Sequence, residues 1–540
     1  MTAAHRRPGR REVLAALAAL AAAVCTGAAA PPAPGPVPGR PEEDPPGTLP
    51  APAVAPHPVK RQMRGLWIAC LNHTDWPDRR RLGAEQIRAD FEALLDSAVA
   101  TGFNAVFVQV RPTADALWPS RLEPWSQWLT GVQGQDPGWD PLAFAVRAAH
   151  ERGLAFHAWF NPFRVAIHAD PGRLVADHPA RRNPHWALAY DGELYYDPGL
   201  AEVRAFVLDA VMDAVTRYEV DGVHIDDYFY PYPAPDGRGF PDDRSFAAEA
   251  RGFTDRAAWR RDNIDLTVRQ LRDRVRAARP DAVYGISPFG VWRNRSTDPA
   301  GSATTALQSY DAQFCDSRGW VRKGWVDYIA PQLYWHIGFE IADYAVLARW
   351  WAAQAAGTDT QVWIGQSASR PGAPGRPAPW QDPAELSRHL ALNEAVGSIG
   401  GDVFFSARSA RTDRIGAIRR LAADHWSRPA LVPLLPRLAG TAPPAAPALH
   451  PSPDRRDLQI TPPPRSGRPH AFRFAVYGYA EDPGPRPPAD PARLVALLPA
   501  LTVRRYRPPS AATGPWYAVS CTDRAGREGP TSAPVRLPAG

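Results

Sequence analysis

The chain has 540 residues, 45% hydrophobic and 22% charged, enough for a large core and more than one domain. A formal net charge of +6 is no nucleic-acid footprint here, because lysine occurs only at Lys60 and Lys323 and the arginines are scattered rather than gathered in a stripe.

Residues 1–30 read as a signal peptide. Arg6, Arg7, Arg10 and Arg11 precede an apolar run from Val13 to Val24 that is too short for a stable membrane span. Arg10-Arg11-Glu12-Val13-Leu14 fits a twin-arginine signal alongside the general secretory route, so a secreted or envelope location is expected. Cys25 raises lipoprotein anchoring, but Ala22, Ala23 and Val24 fit that signal poorly, and cleavage near Ala28 to Ala30 is the better reading. Three scattered cysteines then remain, Cys70, Cys315 and Cys521, which argues for buried thiols rather than a disulfide framework. Residues 31–59 form a Pro-rich linker.

From residue 60 to about 430, short apolar strands alternate with amphipathic helices. Eight strands are predicted: Leu66–Ala69, Ala105–Val110, Ala155–Phe160, Val223–Asp226, Tyr284–Ser287, Tyr328–Gln332, Val362–Gly365 and Val403–Phe405. Helices are expected between them, as at Gln86–Ala100 and Glu202–Tyr218, with Gly102, Gly153 and Gly222 turning the chain before strands. Eight such repeats predict an α/β fold, a (β/α)8 TIM barrel; a doubly wound sheet is less apt, since no G-x-G-x-x-G follows any strand. Residues 437–540 show short strands and turn residues, as in a β-sandwich, and Trp516 to Gly529 is similar to the last hairpin of a fibronectin type III domain.

Barrel catalysis belongs at the C-terminal ends of the strands. Asp327 and Asp402 precede their strands and read as structural. The most informative stretch is D-G-V-H-I-D-D-Y-F-Y-P from Asp221. Alternation turns Val223 and Ile225 toward the helices and His224 and Asp226 inward, with Asp227 just beyond. Two carboxylates beside aromatic rings suggest chemistry on sugars, and strands five to eight end in Ser287, Gln332, Gln366 and Ser406, none of them acidic.

R-G-L-W-I from Arg64, F-N-A-V-F-V-Q-V-R-P from Phe103, W-F-N-P from Trp159, the Asp221 stretch, G-I-S-P-F-G-V-W from Gly285 and D-Y-I-A-P-Q-L-Y-W from Asp327 together closely resemble the bacterial glycosyl-hydrolase-like family ten. That family comprises exported TIM-barrel proteins and includes a division-site enzyme that cleaves peptide-free peptidoglycan glycans. The resemblance implies a glycoside hydrolase acting on cell-wall or related glycan, with cell-wall association and no integral membrane span.

Adjacent acids on strand four resemble the arrangement in N-acetylhexosaminidases, where the substrate's acetamido oxygen attacks the anomeric carbon. Asp226 would then orient the acetamido group and Asp227 would be the general acid/base, with Gln332 or Tyr334 steadying the acetamido oxygen. A conventional route stays open, with Asp226 as nucleophile or base and a loop acid from Asp115, Asp311, Asp316 or Glu340. Gln109, Arg111, Asn161, Arg164 and His224 are candidate hydrogen-bonding partners of the glycan, and Tyr228 and Trp335 candidate stacking surfaces. No His/Asp spacing matches an open zinc site, so no metal or other cofactor is expected. A catalytically idle glycan-binding or surface-attachment protein is the alternative, and a metal-dependent deacetylase a more distant one.

Overall fold

The computed structural model describes residues 59–464, 470–509 and 514–538. The expected signal peptide, Cys25 and all of the linker but Val59 lie outside them. Eight parallel strands close into a barrel: β1 Met63–Ile68, β2 Ala105–Arg111, β3 Ala155–Phe160, β4 Gly222–Ile225, β5 Val283–Ile286, β6 Tyr328–Ile329, β7 Gln361–Ser367 and β8 Ile399–Phe405. Neighbours in the barrel are neighbours in the chain, and β8 closes on β1 with Gly401 opposite Met63. Among the helices between and after the strands are Ala84–Thr101, Pro141–Glu151, Ala201–Arg217, Arg256–Ala278, Tyr344–Ala355, Glu385–Val396 and Ala417–His425. This is a TIM barrel.

Strand alternation builds two apolar layers. Val106, Val108, Phe156, Val223 and Ile225 join the layer under the helices, whereas Trp67, Phe107, Trp159, Tyr328 and Trp363 fill the barrel. Such large interior rings require space beside them. A Cβ on Gly222 would strike the His157 imidazole, and one on Gly285 the Tyr328 ring. Gly102 and Gly153 do turn the chain at φ 103° and 69°. Gly222 does not: it opens β4 and is there for the close approach of His157.

Two further expectations need correction. Strand β6 was expected to run to Gln332 but stops at Ile329, because Pro331 has no N–H to donate. Hydrogen bonding resumes beyond it, with Gln332 N donating to Pro288 O at 3.0 Å and Leu333 N to Gly365 O at 2.9 Å. Asp402 was placed ahead of its strand, yet it lies within β8, accepting from Gln366 Nε2 and Asn393 Nδ2 at 2.8 Å each. Two glycines before it, Gly400 and Gly401, already belong to the strand, Gly401 pairing with Met63, despite lacking the apolar side chains that mark one.

After the barrel come two antiparallel sheets. One holds Ala448–Pro451, Leu458–Thr461 and Arg505–Tyr506; the other holds Leu494–Pro499, Arg473–Tyr479, Trp516–Thr522 and Val535–Arg536. Leu449, Leu458 and Ile460 from the first share a core with Phe474, Val476, Tyr517 and Val519 from the second. This unit closes the N-terminal face of the barrel. Arg473 donates to Gly153 O at 2.5 Å and Asn104 O at 2.7 Å, and Arg524 lies 3.6 Å from Asp221. The opposite, C-terminal face is left for chemistry.

Candidate active site

Strand β4 delivers Asp226 to the inner side of its C-terminal end, and the chain turns so that Asp227 points to a different set of partners. Asp226 Oδ2 accepts from Trp159 Nε1 at 2.9 Å and Asn161 Nδ2 at 3.2 Å, and its Oδ1 accepts from the Tyr228 amide at 3.2 Å. Asp227 Oδ1 accepts from Gln332 Nε2 at 3.0 Å, and its Oδ2 accepts from the Tyr232 hydroxyl. Gln313 Nε2 holds the Asp227 carbonyl at 3.0 Å. The carboxylates are 4% and 5% exposed, and among the described residues neither forms an ion pair.

Burial raises both carboxyls, and the charge of Asp227 raises Asp226 further. Two acids this close resist joint ionisation, so the pair holds a proton where isolated aspartates have lost theirs. The surroundings decide where it sits. Every partner of Asp226 is an N–H, which can only donate and so favours the carboxylate. Tyr232 donates to Asp227 when that acid is ionised and can rotate its hydroxyl to accept when it is protonated, so Asp227 has a partner suited to either state.

The other predicted residues divide into two groups. Asn161, Arg164, Tyr228, Gln332 and Tyr334 surround the acids, whereas Trp335 lies in the core beside Phe289. Asn161 bridges, donating to Asp226 while accepting from Arg164 N at 3.0 Å. The Arg164 guanidinium lies 3.9 Å from the Tyr228 ring centre and 3.2 Å from Glu193, so one face of Tyr228 is covered. Tyr334 lies within the electrostatic reach of Asp227, its ring 6.3 Å from Phe405, and Trp335 packs edge-on against Phe289 at 5.6 Å.

Gln109, Arg111 and His224, expected to contact a sugar, are committed elsewhere. Gln109 Oε1 accepts the amides of Cys70 and Leu71, bracing the β1 exit. Arg111 is fully buried, with both sides of its fork on Glu123 and a third contact on Asn161 O at 2.5 Å. His224, also fully buried, accepts from Trp67 Nε1 at 3.0 Å on Nε2 and so presents its Nδ1 proton to Tyr328 OH at 2.8 Å. Burial holds that imidazole far below its usual range, and hence neutral. Of the proposed loop acids, Asp115 accepts from Thr113 and Gln133, Asp311 pairs with Arg293, and Asp316 caps the helix Ser317–Arg322.

Sequence reasoning missed Trp159, Tyr232 and Gln313. Trp159 was within reach, since it shares inward parity with His157 on β3 and with Asn161 just beyond it. Tyr232 and Gln313 come from loops, where no periodicity reports direction.

Residues 62–382 match the family described as Glycosyl hydrolase-like 10. The chain belongs to that family. This family member is 44% identical to glycosyl hydrolase YngK of Bacillus subtilis (strain 168), over 71% of this chain and 75% of YngK. It is 38% identical to glycosyl hydrolase DigH of Escherichia coli (strain K12), over 64% of this chain and 82% of DigH. It is also similar to the glycoside hydrolase domain of PgaB (BpsB) from Bordetella bronchiseptica, at 14% identity and TM-score 0.45, covering 68% of this chain and 99% of that one. The chain is a glycoside hydrolase.

Proposed function

We propose that this enzyme is exported and hydrolyses N-acetylated cell-wall glycan, peptide-free peptidoglycan strands above all, by substrate assistance. The observation that carries the reading is the adjacent pair on β4, one acid surrounded by N–H donors and the other by a group able to share a proton. Asp226, kept ionised, orients the acetamido N–H and stabilises the positive charge that develops as its oxygen attacks the anomeric carbon. Asp227 protonates the leaving oxygen, then takes a proton from the water that opens the cyclic intermediate. Tyr334 is the better partner for the acetamido oxygen, because Gln332 Nε2 is already shared between Asp227 and Ser287 O.

No helix among the described residues is long and apolar enough to cross a membrane. Export rests on the leader read in residues 1–30. The three-plus-four strand arrangement of the C-terminal unit supports a fibronectin type III-like sandwich, and its packing on the barrel floor gives it a bracing role. Substrate assistance is tested by a thiazoline analogue of the cyclic intermediate: competitive inhibition is expected, whereas no inhibition, with cleavage of glycan lacking acetamido groups, would favour a conventional pair of acids.

A further inference from the structure

Three guanidinium groups share the rim where β7 and β8 open onto the mouth. Arg370 follows the end of β7, Arg376 lies further along the same loop, and Arg414 lies between the helices Ala407–Thr412 and Ala417–His425. Arg414 Nη1 reaches the carbonyl of Ser369, next to Arg370, at 3.4 Å. This loop is tied to the wall of the site: Ala368 N donates to Phe405 O at 2.7 Å, and the Phe405 ring lies 27° from parallel with Tyr334. The Tyr334 phenol lies within the electrostatic reach of both Arg370 and Asp227.

Among the described residues, none of these three arginines has a carboxylate within ion-pair distance. The acids on adjoining segments are already engaged. Asp75 accepts from Ser406 Oγ and the amides of Ala69 and Arg408, Asp382 pairs with Arg388, and Asp413 with Arg419. Arg370 is half-buried, and desolvation together with the charge of Arg376 pushes its guanidinium down to about 10. An arginine that has lost water and gained a like-charged neighbour, with no anion in return, is placed at a cost.

We propose that Arg370, flanked by Arg376 and Arg414, receives a carboxylate carried by the glycan itself. The inference rests on the glycan reading above and deepens it. In peptidoglycan the lactyl group of each muramic unit ends in an amide where a peptide is attached and in a free carboxylate once the peptide is gone. A guanidinium fork recognises the second and not the first, which gives a physical reason for preferring peptide-free strands.

The test measures binding and cleavage of peptide-free glycan strands and of the same strands with their carboxyl groups reduced to alcohols, using the full chain and Arg370→Gln. Wild type should hold the native strands about tenfold more tightly than the reduced ones. Arg370→Gln should remove that difference by weakening only the native strands, raising KM with kcat little changed. Equal wild-type affinity for both glycans overturns the proposal without needing any variant, as does an Arg370→Gln loss that is the same on both. A charge preference in binding with no new reducing ends would leave this proposal standing and sink the hydrolytic reading alone. Cleavage of both glycans with equal KM would do the reverse.

Discussion

The Trp159 indole, on β3, donates to Asp226, at the end of β4, at 2.9 Å, so one barrel strand offsets part of the rise that burial imposes on the acid of the next. With Asn161, the residue after β3, on the same oxygen, this strand and its exit supply two of the donors that favour the ionised form of Asp226. Trp159→Phe keeps the ring and deletes the donor. Losing a bond to the charged form raises the Asp226 pKa, so the acidic limb of the pH–rate profile should move to higher pH. We expect kcat to fall roughly 10–100-fold with KM and thermal unfolding little changed, checked by kinetics from acid to alkaline pH.

Tyr232 gives the complementary result. Its hydroxyl donates to Asp227 and lowers that acid's pKa. In Tyr232→Phe the Asp227 pKa rises, the proton is retained to higher pH, and the basic limb should shift upward while the acidic limb moves less. Because the acids titrate as a pair, the two variants are compared by which limb moves more. Movement of the same limb in both would refute the assigned roles.

Asp402 tests the electrostatics of the layer behind β7 and β8. Burial raises its carboxyl to about 7, against an ordinary 3.8. A raised folded-state value means the native protein binds the proton more tightly, so this contribution is intact below about 4 and is lost as pH rises through about 7. Asp402→Asn leaves an oxygen for Gln366 and Asn393 and no charge to bury. Its unfolding temperature relative to wild type should therefore be higher at pH 8 than at pH 4, measured by calorimetry at both.

On the barrel floor, Arg473→Ala removes the side-chain donor from the Gly153 carbonyl and one of two donors from the Asn104 carbonyl, which keeps the Ala155 amide. A loss of about 2–4 kcal/mol in stability is expected, read by chemical denaturation. Turnover of the folded enzyme should be unchanged, because the site lies at the opposite end of the strands.

Much of this molecule is legible in its residues, and the losses have physical causes. All eight strands could be read because each is a short apolar run, and the inward turn of Asp226 followed from alternation beside Val223 and Ile225. The loops kept their secrets. Arg111 looked like a sugar ligand until its partner Glu123, 12 positions on, came back across a turn to meet it. Gln366 was read as a strand end above the barrel; it points instead toward Tyr344 and His389 in the helical layer. His224 was correctly turned inward but lies too deep, under Trp67 and Ser287, for a sugar to meet it. Side-chain direction along a strand is periodic, whereas depth and loop pairing are set by tertiary contacts.

The most direct measurement is mass spectrometry of the products released from purified, peptide-free glycan strands by wild type and by Asp227→Asn. The account predicts new reducing-end fragments from wild type, and their loss by a factor of roughly 10²–10⁴ in a variant that still folds and binds glycan. Fragments released at the wild-type rate by folded Asp227→Asn would contradict it.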